Sequence, residues 1–209
     1  MQVFHANTGT LRTMSRTLRN AAGGTVRIVA GSLRGSRLAV PDARGLRPTP
    51  DRVRETVFNW IAPVIEGARC LDLFAGTGAL GIEAMSRGAA ECVFVERDRT
   101  LCALLKENLA RLKVANAQVQ CDDAGGFLSA PARPFDVVFL DPPFTTDLWT
   151  EAATRLESGG WLSGLAFIHV EAPPDAVFGV PPNWNLHREG LAGTVRYVLY
   201  RRLGADPLS

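Results

Sequence analysis

One short segment in the middle of the chain combines an acid, two prolines and an aromatic ring. The strand-like run of residues 136–140 is followed directly by Asp141, Pro142, Pro143 and Phe144. Two consecutive prolines remove two backbone donors and fix two φ angles, so the strand must end in a stiff turn. A carboxylate and a backbone carbonyl in this turn can accept the two hydrogens of an exocyclic amine, while the ring stacks on a base. We therefore predict that these four residues form a catalytic site for chemistry at an amino nitrogen.

A glycine-rich loop earlier in the chain has the composition of a cofactor-binding turn. It follows a strand-like run and contains the pattern G-x-G-x-x-G at Gly76, Gly78 and Gly81. The pattern also fits a dinucleotide site, because Glu96 lies 20 residues beyond Gly76 at the end of the next strand-like run. The loop alone is therefore ambiguous between cofactors.

The charge of the acid before the loop favours one of these cofactors. Asp72 would face a bound pyrophosphate, and like charges ~5 Å apart repel by roughly 3 kcal/mol at an effective dielectric of 20. S-adenosylmethionine instead carries an α-ammonium, a sulfonium and a ribose. We predict that Asp72 meets its amino group and that Glu96 accepts its ribose hydroxyls. Two structural alternatives remain, since Asp72 could cap the turn and Glu96 could be an ordinary strand-end acid.

The remaining cofactor contacts are expected in the loop and after the third strand-like run. In the loop they are Phe74, Gly76, Thr77 and Gly78. The third run ends in Asp122 and Asp123, one of which could accept a hydrogen bond from the adenine amino group. A helix N-cap is an equally good interpretation of both aspartates.

Strand-like and helix-like runs alternate from residue 69 onward, which predicts a parallel sheet covered on both faces. The runs at 184–189 and 194–200 have period-two patterning and predict a closing β-hairpin. The fold class is therefore α/β. In such a sheet the carboxyl ends of the strands meet at one edge, where open α/β sheets bind ligands. His169 and the tryptophans Trp149, Trp161 and Trp184 are interpreted as core residues.

The basic residues are distributed unevenly along the chain. The net charge is +2, but ten arginines stand against two aspartates before Glu55, and the remainder carries 13 basic and 19 acidic residues. Residues 26–30 and 37–40 predict a small β-hairpin, after which Thr49 is expected to cap a helix. Arginine-rich, lysine-free segments favour bidentate phosphate contacts. We predict RNA contacts from this region by Arg27, Arg34, Arg37, Arg44, Arg47 and Arg52. Arg47, Arg52 and Arg54 could border the cofactor crevice.

Composition limits the remaining classes of function. The chain has 209 residues, 46% of them hydrophobic, and has neither an apolar run of the ~18 residues needed to span a membrane nor a secretory signal. We expect a cytoplasmic protein with no membrane partner. The four cysteines show no CxxC pairing and no neighbouring histidine cluster, so we expect no metal, no disulfide framework and small core thiols in a reducing compartment.

Several longer segments resemble one family of enzymes. DLFAGTGALGIEAMSRGA and FLDPPF are similar to the amino-methylating class of S-adenosylmethionine enzymes. RIVAGSLRGSRL, RPTPDRVRETVFNW and WNLHREGLAGTVRYVLYRR narrow the resemblance, over residues 26–202, to ribosomal small-subunit methyltransferase D, the 16S rRNA guanine-N2 methyltransferase family. The resemblance implies a Rossmann-like class I fold, with a seven-stranded, mostly parallel sheet and an antiparallel end hairpin. It also favours Asp123 as the adenine contact.

The resemblance implies a specific reaction, and other functions remain open beside it. The implied enzyme methylates the exocyclic N2 of one guanine in 16S rRNA of the small ribosomal subunit or its assembly intermediate. The alternatives are a DNA or RNA adenine-N6 methyltransferase, a nicotinamide-dependent oxidoreductase, which Asp72 disfavours, and a non-catalytic RNA-binding factor. We expect a monomer with a disordered extension at residues 1–25, a basic hairpin at 26–48 and a methyltransferase domain at 49–204.

Overall fold

The computed structural model describes residues 24–40, 49–144 and 148–204. The strands in these ranges are β1 (Thr25–Arg27), β2 (Arg37–Ala39), β3 (Arg69–Asp72), β4 (Glu91–Val95), β5 (Ala117–Gln120), β6 (Phe135–Leu140), β7 (Leu162–Ala172), β8 (Trp184–Ala192) and β9 (Val195–Leu203). The helices are α1 (Asp51–Trp60), α2 (Ala62–Ile65), α3 (Ala79–Ser86), α4 (Arg99–Leu112), α5 (Ala124–Phe127) and α6 (Trp149–Ser158). The expected extension at residues 1–25 falls almost wholly outside the described residues, as do Arg44 and Arg47.

Strands β3 to β9 form one sheet with the order β5-β4-β3-β6-β7-β9-β8. Strands β3 to β7 are parallel, whereas β9 is antiparallel to both β7 and β8. This arrangement confirms the α/β prediction and the antiparallel closing hairpin. The strand order reverses between β3 and β6, which opens a crevice at the carboxyl edge of the sheet.

Apolar side chains cover both faces of the sheet. On one face, Phe58 of α1, Ile82 of α3 and Leu105 of α4 belong to one buried cluster. On the other, Trp149 and Leu156 of α6 belong to a second cluster. The predicted packing role of the tryptophans is confirmed, because Trp149, Trp161 and Trp184 are each less than 5% exposed. Among the described residues, no helix is both long enough and apolar enough to cross a membrane.

The glycine-rich loop owes its shape to two close approaches. Gly78 has a positive φ of 77°, and a Cβ there would lie 2.4 Å from Leu105 Cδ1. A Cβ on Gly81 would lie 2.3 Å from the Phe94 ring, so only glycine lets α3 pack this closely against β4. These contacts fix the turn that leads from β3 into α3.

The small N-terminal sheet is docked onto helix α3. Strands β1 and β2 form the antiparallel pair that the sequence predicted. Glu83, which is fully buried, accepts hydrogen bonds from the N–H groups of Val29 (2.7 Å) and Ala30 (3.0 Å). Ser86 Oγ accepts from the N–H of Leu33 at 2.9 Å. One carboxylate and one hydroxyl of α3 therefore hold this segment, and Arg54 and Arg111 also donate hydrogen bonds to carbonyls of the two hairpin strands.

The cysteines divide into two pairs with different environments. Cys70 and Cys92 are buried thiols, and burial is the largest cause that raises the pKa of each. Cys102 of α4 and Cys121 after β5 are bonded to each other, with Cα atoms 6.0 Å apart. The expectation of four unpaired thiols is therefore wrong for these two. The packing of α4 against β5 brings them together, and their spacing in the sequence does not predict a disulfide.

The closing hairpin lies at one side of the sheet. Strand β8 is the outer strand, and its pairing with β9 shifts register between Leu186 and Arg188. Arg202 of β9 donates to both carboxylate oxygens of Glu157 on α6, with the shortest bond at 2.8 Å. This bond from Arg202 is the main cause that lowers the pKa of Glu157 to about 2. The ion pair ties β9 to the helix beneath it.

We predict that Glu83→Ala releases the N-terminal hairpin. The substitution leaves two backbone N–H groups and Arg87 without their carboxylate partner, which should cost about 3 kcal/mol of unfolding free energy in urea denaturation. Limited trypsin digestion should also cleave at Arg34 faster than in the wild type. Glu55→Ala, on the exposed face of α1, is the control and should change neither measurement. A Glu83→Ala variant with wild-type stability and digestion would contradict the docking role.

Candidate active site

A large cavity follows the carboxyl edge of the sheet. Its volume is about 760 Å³, and its walls include residues from the ends of five neighbouring parallel strands. The four residues predicted for catalysis line the cavity: Asp141, Pro142, Pro143 and Phe144. All but one of those predicted for the cofactor also line it: Asp72, Phe74, Gly76, Thr77, Glu96 and Asp123. Gly78 is not part of this wall, but its positive φ shapes the loop. The sheet topology therefore brings the sequence-predicted residues to one place.

Asp72 is a buried acid at the end of β3. Only 2% of the residue is exposed, and its Oδ2 accepts a hydrogen bond from the Gly81 N–H at 3.0 Å. Burial is the main cause that raises the pKa of Asp72 to about 7, and the charges of Glu96 and Glu171 raise it further. The turn-capping interpretation is thus partly correct, because one carboxylate oxygen holds the loop.

Glu96 stabilises the glycine loop from the neighbouring strand. Its Oε2 accepts from the Gly76 N–H and its Oε1 from the Asp98 N–H, both at 2.8 Å. The same carboxylate lines the cavity, in the position from which ribose hydroxyls were predicted to bind. The ribose contact stays a prediction, while the hydrogen bond to Gly76 shows that Glu96 also orders the loop.

The two aspartates after β5 differ in their contacts. Asp123 is the N-cap of the short helix α5, and its carboxylate accepts from the Gly126 N–H at 2.8 Å. Asp122 Oδ1 accepts from the N–H of Asp123 at 2.9 Å. The capping interpretation is therefore confirmed for Asp123. Both residues also line the cavity, so the adenine contact stays a prediction.

The Asp-Pro-Pro-Phe turn lies in the middle of the sheet edge. Asp141 follows β6, between the ends of β3 and β7. Burial, followed by the charges of Glu171 and Asp72, raises the pKa of Asp141 well above its usual range. The Phe144 ring is 36% exposed, and its centroid lies 6.2 Å from that of Trp149. An acid and an accessible ring therefore face one cavity, as the amine-site prediction requires.

Three residues of the site were not identified from the sequence. Glu171, near the end of β7, lines the cavity and is 3% exposed. Its Oε1 accepts a hydrogen bond from Thr49 Oγ1 at 2.9 Å and lies 3.1 Å from His169 Nε2. Thr49 is not the helix cap, because Pro50 occupies that position. His169 is a satisfied buried residue, as interpreted, but it belongs to this polar group. The sequence offers one signal for Glu171, which is an acid near the end of a mainly apolar strand.

The predicted RNA-binding arginines lie apart from the cavity. The described ones are all exposed and do not line it: Arg27, Arg34, Arg37 and Arg52. Arg27 is also 3.7 Å from Asp51 in an ion pair. Arg54 is fully buried, donates from Nη1 to the Thr49 carbonyl at 2.9 Å and pairs with Asp51. The suggestion that Arg52 and Arg54 border the crevice is therefore wrong, since Arg54 holds the segment that begins α1.

The electrostatic character of the cavity limits what it can bind. Acids lie close together at its centre, and the pKa values of Asp72 and Asp141 are raised, mainly by burial and further by the neighbouring negative charges. A cationic ligand with hydrogen-bond donors would offset the repulsion, whereas a pyrophosphate would add to it. No group of residues in the described ranges has the composition of a metal site.

Comparisons with known proteins agree on one family. Residues 26–201 match the family model described as conserved hypothetical protein 95. Ribosomal RNA small subunit methyltransferase D of Escherichia coli strain K12 is 50% identical over 88% of this chain and 93% of its own length. The protein of the same name from Haemophilus influenzae is 46% identical over 86% and 95%. The solved structure of yhhF from Escherichia coli has a TM-score of 0.80 and 51% identity, covering 87% of this chain and 99% of that one.

We predict that Asp72 makes the stability of the ligand-free protein depend on pH. Its folded-state pKa of about 7 exceeds the unfolded value of 3.8, so the folded protein holds the proton more tightly and loses stability as pH rises between these values. Asp72→Asn should remove this loss and raise the unfolding free energy at pH 8 by up to about 4 kcal/mol, measured by urea denaturation at pH 5 and pH 8. Asp175→Asn, at an exposed position, is the control. If the unfolding free energies of Asp72→Asn and the wild type change with pH in the same way, the raised pKa of Asp72 is not the cause of the pH dependence.

Proposed function

The chain belongs to the family of ribosomal RNA small subunit methyltransferase D, and we propose that it transfers a methyl group from S-adenosylmethionine to the exocyclic N2 amine of one guanine in 16S rRNA. Membership of this family supports the broader activity, S-adenosylmethionine-dependent methylation of ribosomal RNA. The guanine N2 acceptor is the finer part of the proposal. The observation that carries it is the position of Asp141 and Phe144 in one cavity, beside the acids of the cofactor strands.

The residues of the cavity fit S-adenosylmethionine by charge. The raised pKa values of Asp72 and Asp141 are those of acids that lack a cationic partner, and the cofactor carries an ammonium and a sulfonium. In the proposal, Asp72 binds the ammonium, Glu96 the ribose hydroxyls and Asp123 the adenine amine. Bound there, the cofactor supplies a methyl group that is already activated by the sulfonium.

The protein then mainly has to align the amine with the methyl group. Asp141 and the backbone carbonyl of Pro142 accept the two N2 hydrogens, which leaves the nitrogen lone pair directed at the methyl carbon. Phe144 stacks on the base. The Asp141 carboxylate would accept the proton that N2 loses when it takes the methyl group, and the cofactor's sulfur would keep the electron pair of its former bond to that group. No covalent intermediate with the protein is needed, so none of the cysteines has a role in the reaction.

The target base has to leave its stack to reach Phe144, which costs a few kcal/mol and less in a loop. The exposed arginines of the hairpin and of α1 would hold the surrounding RNA by its phosphates, without reading its sequence. Arg34 lies in the turn that joins β1 to β2. The hairpin thus extends the RNA-binding surface beyond the sheet, and the energy of these phosphate contacts offsets the cost of unstacking.

We predict that the full-length protein restores one methylated guanine to 16S rRNA in cells that lack its gene. Nucleoside mass spectrometry should detect N2-methylguanosine with the wild type but not with Asp141→Ala. In vitro, Asp141→Ala should lower transfer of tritiated methyl groups to small subunits by at least about 10²-fold, because the acceptor for the amine is lost. Calorimetry should show that S-adenosylhomocysteine still binds within a few-fold of the wild-type affinity.

The controls separate this function from its alternatives. Asp175→Ala, outside the cavity, should transfer methyl groups like the wild type. Transfer to duplex DNA in preference to small subunits, or appearance of N6-methyladenine, would replace the proposal with adenine methylation. Unchanged transfer by Asp141→Ala would remove the catalytic role of the turn, and binding of NAD in place of S-adenosylhomocysteine would refute the assignment of the cofactor.

We also predict that the hairpin arginines contribute to RNA affinity through phosphates. The double variant Arg34→Ala/Arg37→Ala should weaken binding to the small subunit and reduce the slope of log affinity against log salt by roughly 2. Arg133→Ala is the matched control, since Arg133 is exposed before β6, at the opposite end of the strand from the cavity. Filter binding at several salt concentrations measures both the affinity and its dependence on salt. An unchanged salt slope in the double variant would exclude these two contacts.

A further inference from the structure

The order of the strands separates the cofactor side of the cavity from the other side. The acids assigned to the cofactor follow β3, β4 and β5, and Asp141 follows β6. Glu171 belongs to β7, so it lies beyond Asp141 as seen from the cofactor strands. Because the acceptor amine is held at Asp141, Glu171 stands where the rest of the substrate base must lie.

Glu171 is also a direct neighbour of Asp141. Leu140 and Val170 are register partners in the parallel pair β6–β7, so the residues that follow them are adjacent, with Cα atoms about 5 Å apart. Paired residues of a parallel sheet direct their side chains to the same face, and both acids line the cavity. A base whose amine binds at Asp141 therefore presents the next atom of its ring to Glu171.

The carboxylate of Glu171 is held by one oxygen. Thr49 Oγ1 and His169 Nε2 both contact Oε1, at 2.9 and 3.1 Å. Both contacts are to the same oxygen, and the residue, which is 3% exposed, lines the cavity. A ligand in the cavity that donates a hydrogen bond to Oε2 would stabilise the ionised carboxylate. The two contacts to Oε1 fix the orientation in which Oε2 is presented.

The bases with an exocyclic amine differ in the ring atom beside that amine. In guanine, N1–H lies next to the N2 amine and donates a hydrogen bond. In adenine the neighbour of the amine is N1, and in cytosine it is N3, and both of these are acceptors. A carboxylate beside the amine site therefore attracts guanine and repels the lone pair of the other two bases.

We propose that Glu171 is the specificity-determining residue of this site, accepting the guanine N1–H through Oε2 while Asp141 and Pro142 hold the N2 amine. This inference rests on the proposed function, and it explains how the site distinguishes guanine from adenine, which the Asp-Pro-Pro-Phe turn alone does not. Thr49 and His169 act as positioning residues for the carboxylate. Sites built around a substrate N–H can reject an analogue that lacks it by up to 10⁴–10⁵-fold.

The test compares acceptor bases that differ at N1. Once the methylated guanine is mapped, ligated 16S rRNA carrying guanine, 2-aminopurine or 6-thioguanine at that position is assembled into small subunits. 2-Aminopurine keeps the 2-amino group but has no N1–H, whereas 6-thioguanine keeps N1–H and replaces only O6. Transfer of tritiated methyl groups is measured for the wild type, Glu171→Gln and the control Glu189→Gln, an exposed residue of β8. Gln keeps the Oε1 acceptor for Thr49 and His169 but can turn an N–H donor to the cavity.

We expect the wild type to prefer guanine over 2-aminopurine by at least about 10²-fold and to accept 6-thioguanine much better than 2-aminopurine. Glu171→Gln should lower kcat/KM for guanine by about 10²-fold and reduce the preference over 2-aminopurine at least tenfold, with S-adenosylhomocysteine binding and thermal stability near wild type. Glu189→Gln should match the wild type.

The outcomes distinguish this inference from the function on which it rests. If the wild type methylates guanine but Glu171→Gln keeps the same preference over 2-aminopurine, Glu171 does not read N1–H and only this inference falls. A variant that loses stability or cofactor binding together with activity would show a structural role instead. If the wild type methylates no guanine, the proposed function fails and the inference fails with it.

Discussion

The structure depends on the confinement of three carboxylates, those of Asp72, Asp141 and Glu171, at one edge of a parallel sheet. The three parallel strands that precede these acids are neighbours whose carboxyl ends lie at the same edge, so the acids share one cavity. Burial, reinforced by the neighbouring negative charges, raises the pKa values of Asp72 and Asp141. Backbone and side-chain donors partly compensate for these effects. A site that costs folding energy in this way is ready for a ligand whose charge and hydrogens complete it.

Helix α3 connects the two functional parts of the molecule. It begins at the glycine loop that borders the cavity, and Glu83 and Ser86 near its end hold the basic hairpin. The turn proposed to hold the cofactor and the surface proposed to bind RNA are therefore attached to one element eight residues long. Helix α3 fixes the position of the hairpin relative to the loop. A shift at either end of the helix would disturb the close packing of Gly81 against Phe94.

Local patterns predicted the sheet, its closing hairpin and most of the cavity wall, because alternation of elements determines where strand ends fall. They did not predict contacts between distant segments. Thr49 and Glu171 are 122 residues apart, and a threonine followed by Pro50 has the pattern of a helix start. Arg54 was expected to border the crevice, because its charge alone does not reveal that it lies on the buried face of α1. The Cys102–Cys121 pair was missed for the same reason, since only the packing of α4 on β5 defines it.

The outer strand β8 carries a consequence for how the molecule behaves at high concentration. An edge strand offers unpaired backbone groups on which another chain can build a continuous sheet, and β8 adds the exposed side chains of Leu186 and Leu191. The register shift between Leu186 and Arg188 interrupts the regular spacing of those groups, and the charges of Arg188 and Glu189 lie within the same stretch. Irregularity and charge on this strand therefore protect the protein against edge-to-edge aggregation.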